Sequence, residues 1–384
     1  MTLRLFNRLV KGVFLARINR FTVLCNVNGI ETFAHLPNPG RLWELLIPGV
    51  EMYLEKQEQG ARKTAYTAVA VMKEGRPIII HTHKTNDIAA FLIDSGAIAQ
   101  LRGARIIKKE VVHGHSRFDF LLNRQGQDII LEVKSCTLYS RHVAAFPDAV
   151  TARGTRHIHE LACLANDNTL AAVLFVIQWP YARFFTPEYH TDLAFAQTLL
   201  AYKDKLMILP VVVEIDDSLA VAPRASTLPI HWDTIAKESE DRGAYLVVLK
   251  LDSYQTVEVG KLGLRAFRKG YYVYVGSAIK NLNARINRCR RLEKNRFWHI
   301  DYFREITEFQ AALPIRSATS YECQIAERLS ALADWQIPRF GSSDCRCSSH
   351  LFAFHDNPLQ SRPFIAMVQD YRMDRLVSDL DNAS

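Results

Sequence analysis

Long apolar runs are missing from this 384-residue chain, the longest being the eight residues Leu170 to Ile177. A helix that crosses a bilayer needs about 18, so a membrane protein is not expected. Cysteine is scarce and odd in number, seven in all, which excludes a disulfide scaffold. Internal repeats and low-complexity tracts are absent too. The N-terminus carries Arg4, Arg8, Lys11, Arg17 and Arg20 with no apolar core long enough for a secretion signal, so the expected address is cytoplasmic. Acidic residues are outnumbered, 40 against 48 basic, for a net charge of +8. That balance is compatible with nucleic acid without requiring it. What is present is an ordinary globular composition, 48% apolar and 23% charged, enough to build cores in two or three domains.

A polar, charged run, Ala236-Lys237-Glu238-Ser239-Glu240-Asp241-Arg242-Gly243, follows Pro223 and Pro229. It reads as a linker that adds nothing to a core. Residues 1–82 read as all-β: Val13 to Ile18 and Phe21 to Val27, an Asn28-Gly29 hairpin turn, Glu31 to Leu36, and further short strands, with a short helical stretch expected at Leu42 to Leu46. Five or so turn-bounded strands suggest a small closed barrel, of which the OB type is the commonest nucleic-acid binder. Residues 83–235 alternate helical and strand patterns, and 243–384 open with two apolar strands and continue mostly helically.

The richest segment is Ser116-Arg117-Phe118-Asp119-Phe120-Leu121-Leu122, a polar turn with Gly126, then Ile129-Ile130-Leu131-Glu132-Val133-Lys134. If Leu122 closes onto Ile129, paired numbers sum to 251 and Asp119 faces Glu132, with Cβ atoms ~5 Å apart. Lys134 shares a face with Glu132. Like charges so placed call for a cation between them. A divalent ion held there, with an ammonium beside it, activates water and neutralises charge on a phosphodiester. Glu110 is a further candidate acid. Arg153, near a helix N-terminus, is placed to hold a phosphate; pairing with Asp148 is the other reading of it. On residues alone, solvated charges on a half-exposed strand remain an alternative for the acids.

Asp then Glu-x-Lys is the pattern of the PD-(D/E)xK nuclease fold. Residues 1 to about 235 resemble the sugar fermentation stimulation protein A family, through His35-Leu36-Pro37-Asn38-Pro39-Gly40-Arg41-Leu42, Ser116 to Leu122, Glu132-Val133-Lys134-Ser135, Phe146-Pro147-Asp148-Ala149 and Arg153-Gly154. The resemblance implies an OB-like barrel, a PD-(D/E)xK-like domain, DNA binding and a regulatory part in sugar metabolism. Its metal-site acids fall on Asp119 and Glu132, with Lys134 completing the triad.

Between Lys261 and Arg296 stand eleven Lys or Arg against one acid, Glu293, a density that reads as a phosphate-binding surface. Tyr271, Tyr272 and Tyr274 run through it; an aromatic there stacks on a base or, for Tyr272 above all, fills the sheet core. Gly243-Ala244-Tyr245, Tyr274-Val275-Gly276-Ser277-Ala278, Trp298-His299-Ile300-Asp301-Tyr302 and Phe340-Gly341-Ser342-Ser343-Asp344-Cys345 resemble the domain-of-unknown-function 123 branch of GIY-YIG nucleases over about residues 243–355. That likeness implies Tyr245 or Tyr274 as the phenol assisting water, Arg285 as phosphate clamp and Glu322 as metal carboxylate. Two departures stand out: the insertion Thr256 to Gly270, and Cys289 four residues beyond Arg285, where a histidine is expected. Cys345, Cys347 and His350 offer three soft ligands, with Cys323 or His299 as a fourth; buried free thiols are the other reading.

The expected protein is therefore multidomain α+β: an OB-like β-barrel (1–82), a PD-(D/E)xK nuclease-like α/β domain (83–235) and a C-terminal GIY-YIG-like α+β domain (243–384). The expected partner is DNA, contacted through Arg17, Arg20, Arg41, Arg153, Lys269, Arg288 and Arg291. The expected ion is Mg²⁺ or Mn²⁺ at Asp119, Glu132 and Glu322, with no small-molecule cofactor. The function is phosphodiester hydrolysis or, alternatively, non-catalytic DNA binding by a regulator of sugar metabolism. No motif supports a sugar-handling enzyme.

Overall fold

The computed structural model describes residues 2–57, 64–114 and 116–377. They form two compact units, one of residues up to Glu188 with Ala194–Trp232, the other of Tyr189–Leu193 with residues from Asp233 onward. None of the described helices is long and apolar enough to cross a membrane.

The first unit opens with the barrel: β1 (Leu9–Asn19), β2 (Thr22–Val27), β3 (Ile30–His35), β4 (Glu51–Lys56), β5 (Tyr66–Lys73) and β6 (Arg76–Ile79). The sheet order is β3-β2-β1-β4-β5-β6, and β3 closes onto β5 at Ala34–Tyr66 and His35–Thr67. Asn28 and Gly29 both take positive φ, 53° and 86°, as a two-residue hairpin turn requires. The stretch Leu42 to Leu46 is not a helix. Leu42 itself has φ 54°, and the amides of Leu45 and Leu46 both turn back to its carbonyl, giving a single tight turn.

The rest of this unit is built on a seven-stranded sheet. α1 (Thr85–Asp94) precedes β7 (Arg105–His113), β8 (Ser116–Arg124) and β9 (Gln127–Cys136); α2 (Ala152–Leu164) precedes β10 (Thr169–Ile177), β11 (Met207–Ile215) and β12 (Ala220–Thr227). The short strand Leu3–Arg4 pairs with the far side of β12, so the order is Leu3–Arg4, β12, β11, β10, β9, β8, β7. β9, β10 and β11 run parallel. Alternate residues of β9 go to opposite faces: Ile129, Leu131 and Val133 pack with Ile88, Ala89 and Leu92 of α1, while Ile130 packs with Ile158 and Leu161 of α2. The sheet is therefore covered on both sides, as a parallel core demands.

The linker expected before residue 243 is structured. Pro223 lies within β12, whose ladder with β11 shifts register between Val213 and Ile215, an irregularity of the kind that accommodates a proline in a strand. Helix Trp232–Glu238 follows, with Glu238 and Ser239 buried.

The second unit carries more strand than its sequence suggests. Five strands, β13 (Gly243–Leu251), β14 (Gly270–Ala278), β15 (Glu308–Arg316), β16 (Trp335–Gln336) and β17 (Leu351–Phe354), stack in the order β15-β13-β14-β17-β16. α3 (Leu282–Arg290) carries Arg285, and α4 (Glu322–Leu332) begins with Glu322. The insertion before Gly270 folds as its own small hairpin, Gln255–Glu258 with Leu264–Phe267.

Two candidate active sites and their relatives

The β8–β9 ladder runs from Arg124–Gln127 to Phe120–Leu131, so paired numbers do sum to 251. Beyond that point Asp119 uses its side chain: Oδ2 accepts the Val133 amide at 2.7 Å, and Oδ1 accepts from Asn86 Nδ2 of α1 at 2.7 Å. Glu132 is held by α2 and by its own strand. Its Oε1 accepts from Lys134 Nζ and lies 2.7 Å from Nδ1 of buried His157 on α2. Arg153 Nε lies 3.3 Å from His157 Nε2, so the ring accepts there and donates through Nδ1 to Glu132. The other oxygen, Glu132 Oε2, is buried without a hydrogen-bond partner.

The two carboxyls are pushed apart electrostatically. Burial and the neighbouring Glu132 charge raise the Asp119 pKa, against the opposing Val133 and Asn86 hydrogen bonds. Burial alone would raise Glu132 too, but the His157 hydrogen bond and the Lys134 charge outweigh it and hold Glu132 below its ordinary value. Neighbouring acids with split pKa values are a common signature of a functional site. Glu110 is not part of this group; it is exposed and pairs with Arg117 at 3.5 Å.

Asp148 does not meet Arg153. It packs under Gly40, where an added Cβ would lie 2.3 Å from Asp148 Oδ2. Its carboxylate accepts from the Leu42 amide, and its carbonyl accepts from Arg41 Nε. Arg17 completes this knot, donating to the carbonyls of Gly40, Arg41, Arg20 and Asn38. Arg17 therefore holds the turn together. Arg20 is exposed beside Phe21, and Arg41 lies over the Trp43 ring.

In the second unit, a pocket of about 520 Å³ is lined by Tyr245, Tyr274, Ser277, Arg285, His299 and Glu322 among others. Register places Tyr245 opposite Gly276 and Tyr274 opposite Val247, so the two phenols are diagonal neighbours on one face. Gly276 is what makes room: a Cβ there would meet the Tyr245 ring at 2.5 Å. Burial raises both phenols above their usual pKa, with Tyr274 and Cys289 adding to the shift at Tyr245. Arg285 lies 4.3 Å over the Trp298 ring. Glu322, first residue of α4, accepts from Ser277 Oγ and sits 3.3 Å from His350 Nδ1. Those contacts outweigh the opposing effect of burial and lower its pKa.

Cys289, standing where a histidine was expected, is buried with its thiol 3.9 Å from the Tyr245 hydroxyl. His299 lines the same pocket, its Nδ1 accepting the Gly341 amide at 3.0 Å. Sequence reasoning did not place His157, Asn86, Ser277 or His299 in these sites. The available signal was proximity to the motifs, since Ser277 lies inside Tyr274–Ala278 and His299 inside Trp298–Tyr302.

Several basic residues of the 261–296 stretch are internal partners. Arg288 and Lys294 pair with buried Asp301 at 2.6 and 3.0 Å, and Arg296 with Glu305 at 2.7 Å. Lys269 and Arg291 are exposed. Tyr272 and Tyr274 belong to the sheet core, while Phe297, 78% exposed, sits at the pocket.

Three family models match the chain: the SfsA N-terminal OB domain over residues 15–80, the sugar fermentation stimulation protein RE domain over 83–218, and the domain of unknown function DUF123 over 244–373. The sugar fermentation stimulation protein homolog of Methanothermobacter thermautotrophicus is 37% identical over 226 residues, 58% of this chain and 94% of that protein. The homolog of Moorella thermoacetica is 42% identical over 193 residues, 50% of this chain and 83% of that protein. The solved structure of Pyrococcus furiosus SfsA in complex with Ca²⁺ is similar with a TM-score of 0.55 at 30% identity, covering 60% of this chain and 99% of that one. An OB-like barrel, a sugar fermentation stimulation protein RE domain and a DUF123 domain thus follow one another, and the chain belongs to the sugar fermentation stimulation protein (SfsA) family, with a DUF123 domain at its C-terminal end.

Proposed function

We propose that this protein binds DNA and hydrolyses its phosphodiester bonds with a divalent metal ion, in three modules spanning 1–82, 83–235 and 243–384. The carrying observation is the buried, unpartnered Oε2 of Glu132 beside Asp119. A desolvated carboxylate oxygen without a partner is costly, and a cation relieves both that cost and the repulsion between the two acids. Asp119 and Glu132 would hold the ion, Mg²⁺ or Mn²⁺; the Ca²⁺ in the Pyrococcus furiosus relative supports a hard divalent cation. When bound, such an ion lowers the pKa of a water and neutralises charge on phosphate.

The chain's own residues do the rest. Lys134 donates to Glu132 and adds positive charge next to the reacting phosphate. His157, buried and locked by Arg153, keeps Glu132 ionised and fixed in orientation. In the C-terminal pocket, Arg285 is the phosphate clamp, Glu322 the metal carboxylate, and Tyr245 or Tyr274 the phenol. Exposed Phe297 offers a face on which a base stacks. Arg20, Lys269 and Arg291 supply backbone contacts.

Three observations favour a second reading for the C-terminal pocket. Both Glu322 oxygens already have partners, both phenols are shifted up, and Cys289 offers no proton shuttle. On this reading the pocket is a DNA clamp in a regulator of sugar metabolism.

The test is a cleavage screen over linear, branched, single-stranded and damaged DNA with Mg²⁺, Mn²⁺ or a chelator. Metal-dependent nicking that disappears in the Asp119→Ala, Glu322→Ala double variant is the expected result. Salt-sensitive binding with no cleavage of any substrate would overturn hydrolysis and leave the clamp.

A further inference from the structure

We propose that Cys323, Cys345, Cys347 and His350 bind a structural zinc ion that fixes the start of α4. One ligand atom from each of these residues lies within 4.8 Å of every other. Cys345 Sγ is 3.4 Å from His350 Nε2. Tetrahedral zinc with Zn–S near 2.3 Å and Zn–N near 2.0 Å sets S···N and S···S separations of about 3.5 and 3.8 Å, so the widest pair closes by about 1 Å on binding. Three thiolates and one imidazole leave no open position, which is the donor set of a structural rather than a catalytic zinc.

The histidine is prepared for this role. His350 is 2% exposed. Its amide donates to Phe340 O, and its carbonyl accepts the Val275 amide of β14, so backbone bonds on both sides fix the ring. With Nε2 toward the thiols, Nδ1 lies 3.3 Å from Glu322 Oε1, the arrangement in which a carboxylate orients a metal-bound histidine. Cys323 follows Glu322 directly on α4. The ion would thus hold α4 through Cys323 and Glu322 through His350. The site itself does not depend on whether the pocket cleaves DNA.

The experiment is metal analysis of the purified full chain, with Cys345→Ser, Cys347→Ser double and Cys163→Ser control variants. Expected are about one zinc per chain in the wild type and control, a loss of most of it in the double variant, and the visible absorption of tetrahedral thiolate ligation when Co²⁺ replaces zinc. Should the double variant misfold, the Co²⁺ spectrum of the wild type decides alone. A wild-type chain that takes up neither zinc nor Co²⁺, or in which two of the three thiols are joined in a disulfide, overturns the proposal. No DNA enters these measurements, so a zinc-loaded chain that cleaves nothing would overturn hydrolysis alone.

Discussion

Nδ1 of His157 lies 2.7 Å from Oε1 of Glu132, with both side chains buried. This hydrogen bond is one of the two influences that hold Glu132 below its ordinary pKa in spite of burial. A carboxyl whose pKa falls on folding stabilises the fold above its unfolded value of about 4.3, and that stability is lost as pH falls through the folded pKa. His157→Ala should therefore cost about 1–3 kcal/mol near neutral pH. It should also make acid unfolding begin at higher pH. Denaturant unfolding at a series of pH values measures both; an unchanged acid limb would mean that Lys134 alone keeps Glu132 ionised.

Asp119 carries the opposite shift. Folding raises its pKa, so the metal-free protein is more stable with this carboxyl protonated and loses stability as pH rises through the folded value. Asp119→Asn imitates the protonated form while keeping partners for the Val133 amide and Asn86. The metal-free variant should melt at the same temperature as wild type or higher. Its binding of Ca²⁺ or Mg²⁺ should fall at least tenfold by calorimetry, about 1.4 kcal/mol. In the wild type, metal affinity should decline with falling pH, starting above the usual carboxylate range of about 3.9.

The hairpin that positions these acids was legible because turn chemistry and alternation fix strand register. With Gly126 in the turn and apolar residues on both strands, only one pairing buries Phe120, Leu122, Ile129 and Leu131 together. The resemblance implied Tyr245 or Tyr274 as the phenol, and the β13–β14 register puts both rings on one face. The run before residue 243 was expected to add nothing to a core, yet Glu238 and Ser239 are buried; β12 holds Pro223 and ends in polar residues, and its pairing with β11 is one that local composition does not encode. The first two C-terminal strands were read and the later ones missed, since β15 and β17 are recognised by partners far away in sequence. A count of cations between Lys261 and Arg296 does not separate Arg288 and Lys294, which the Asp301 carboxylate engages, from the exposed Lys269 and Arg291.

That distinction separates two arginine variants. Arg17 donates to the carbonyls of Asn38, Gly40 and Arg41 and to those of Asn19 and Arg20, so Arg17→Ala should destabilise the first unit by about 1–3 kcal/mol. Arg291→Ala, at an exposed position, should leave the melting temperature unchanged. It should weaken DNA binding across sequences and lower the salt slope by about 1. Thermal unfolding together with titrations at several salt concentrations tells them apart. Equal losses of stability in both variants would show that Arg291 also has an internal partner.

Gly276 gives the sharpest test of the C-terminal pocket. Its φ is ordinary, so backbone strain is not the reason for a glycine here. The reason is the Tyr245 ring, which an added Cβ would meet at 2.5 Å. Tyr245 is packed against Gly276, Tyr274 and the Cys289 thiol, with the pocket on its remaining side. Gly276→Ala should therefore cost about 1–3 kcal/mol, the usual range for overpacking, and displace the phenol from the pocket. Because Asp119 and Glu132 lie in the other unit, calorimetric metal binding there should be unchanged. If hydrolysis in the cleavage screen arises from the C-terminal pocket it should fall with this variant, and if it arises at Asp119 and Glu132 it should persist, so one substitution assigns the activity to one pocket or the other.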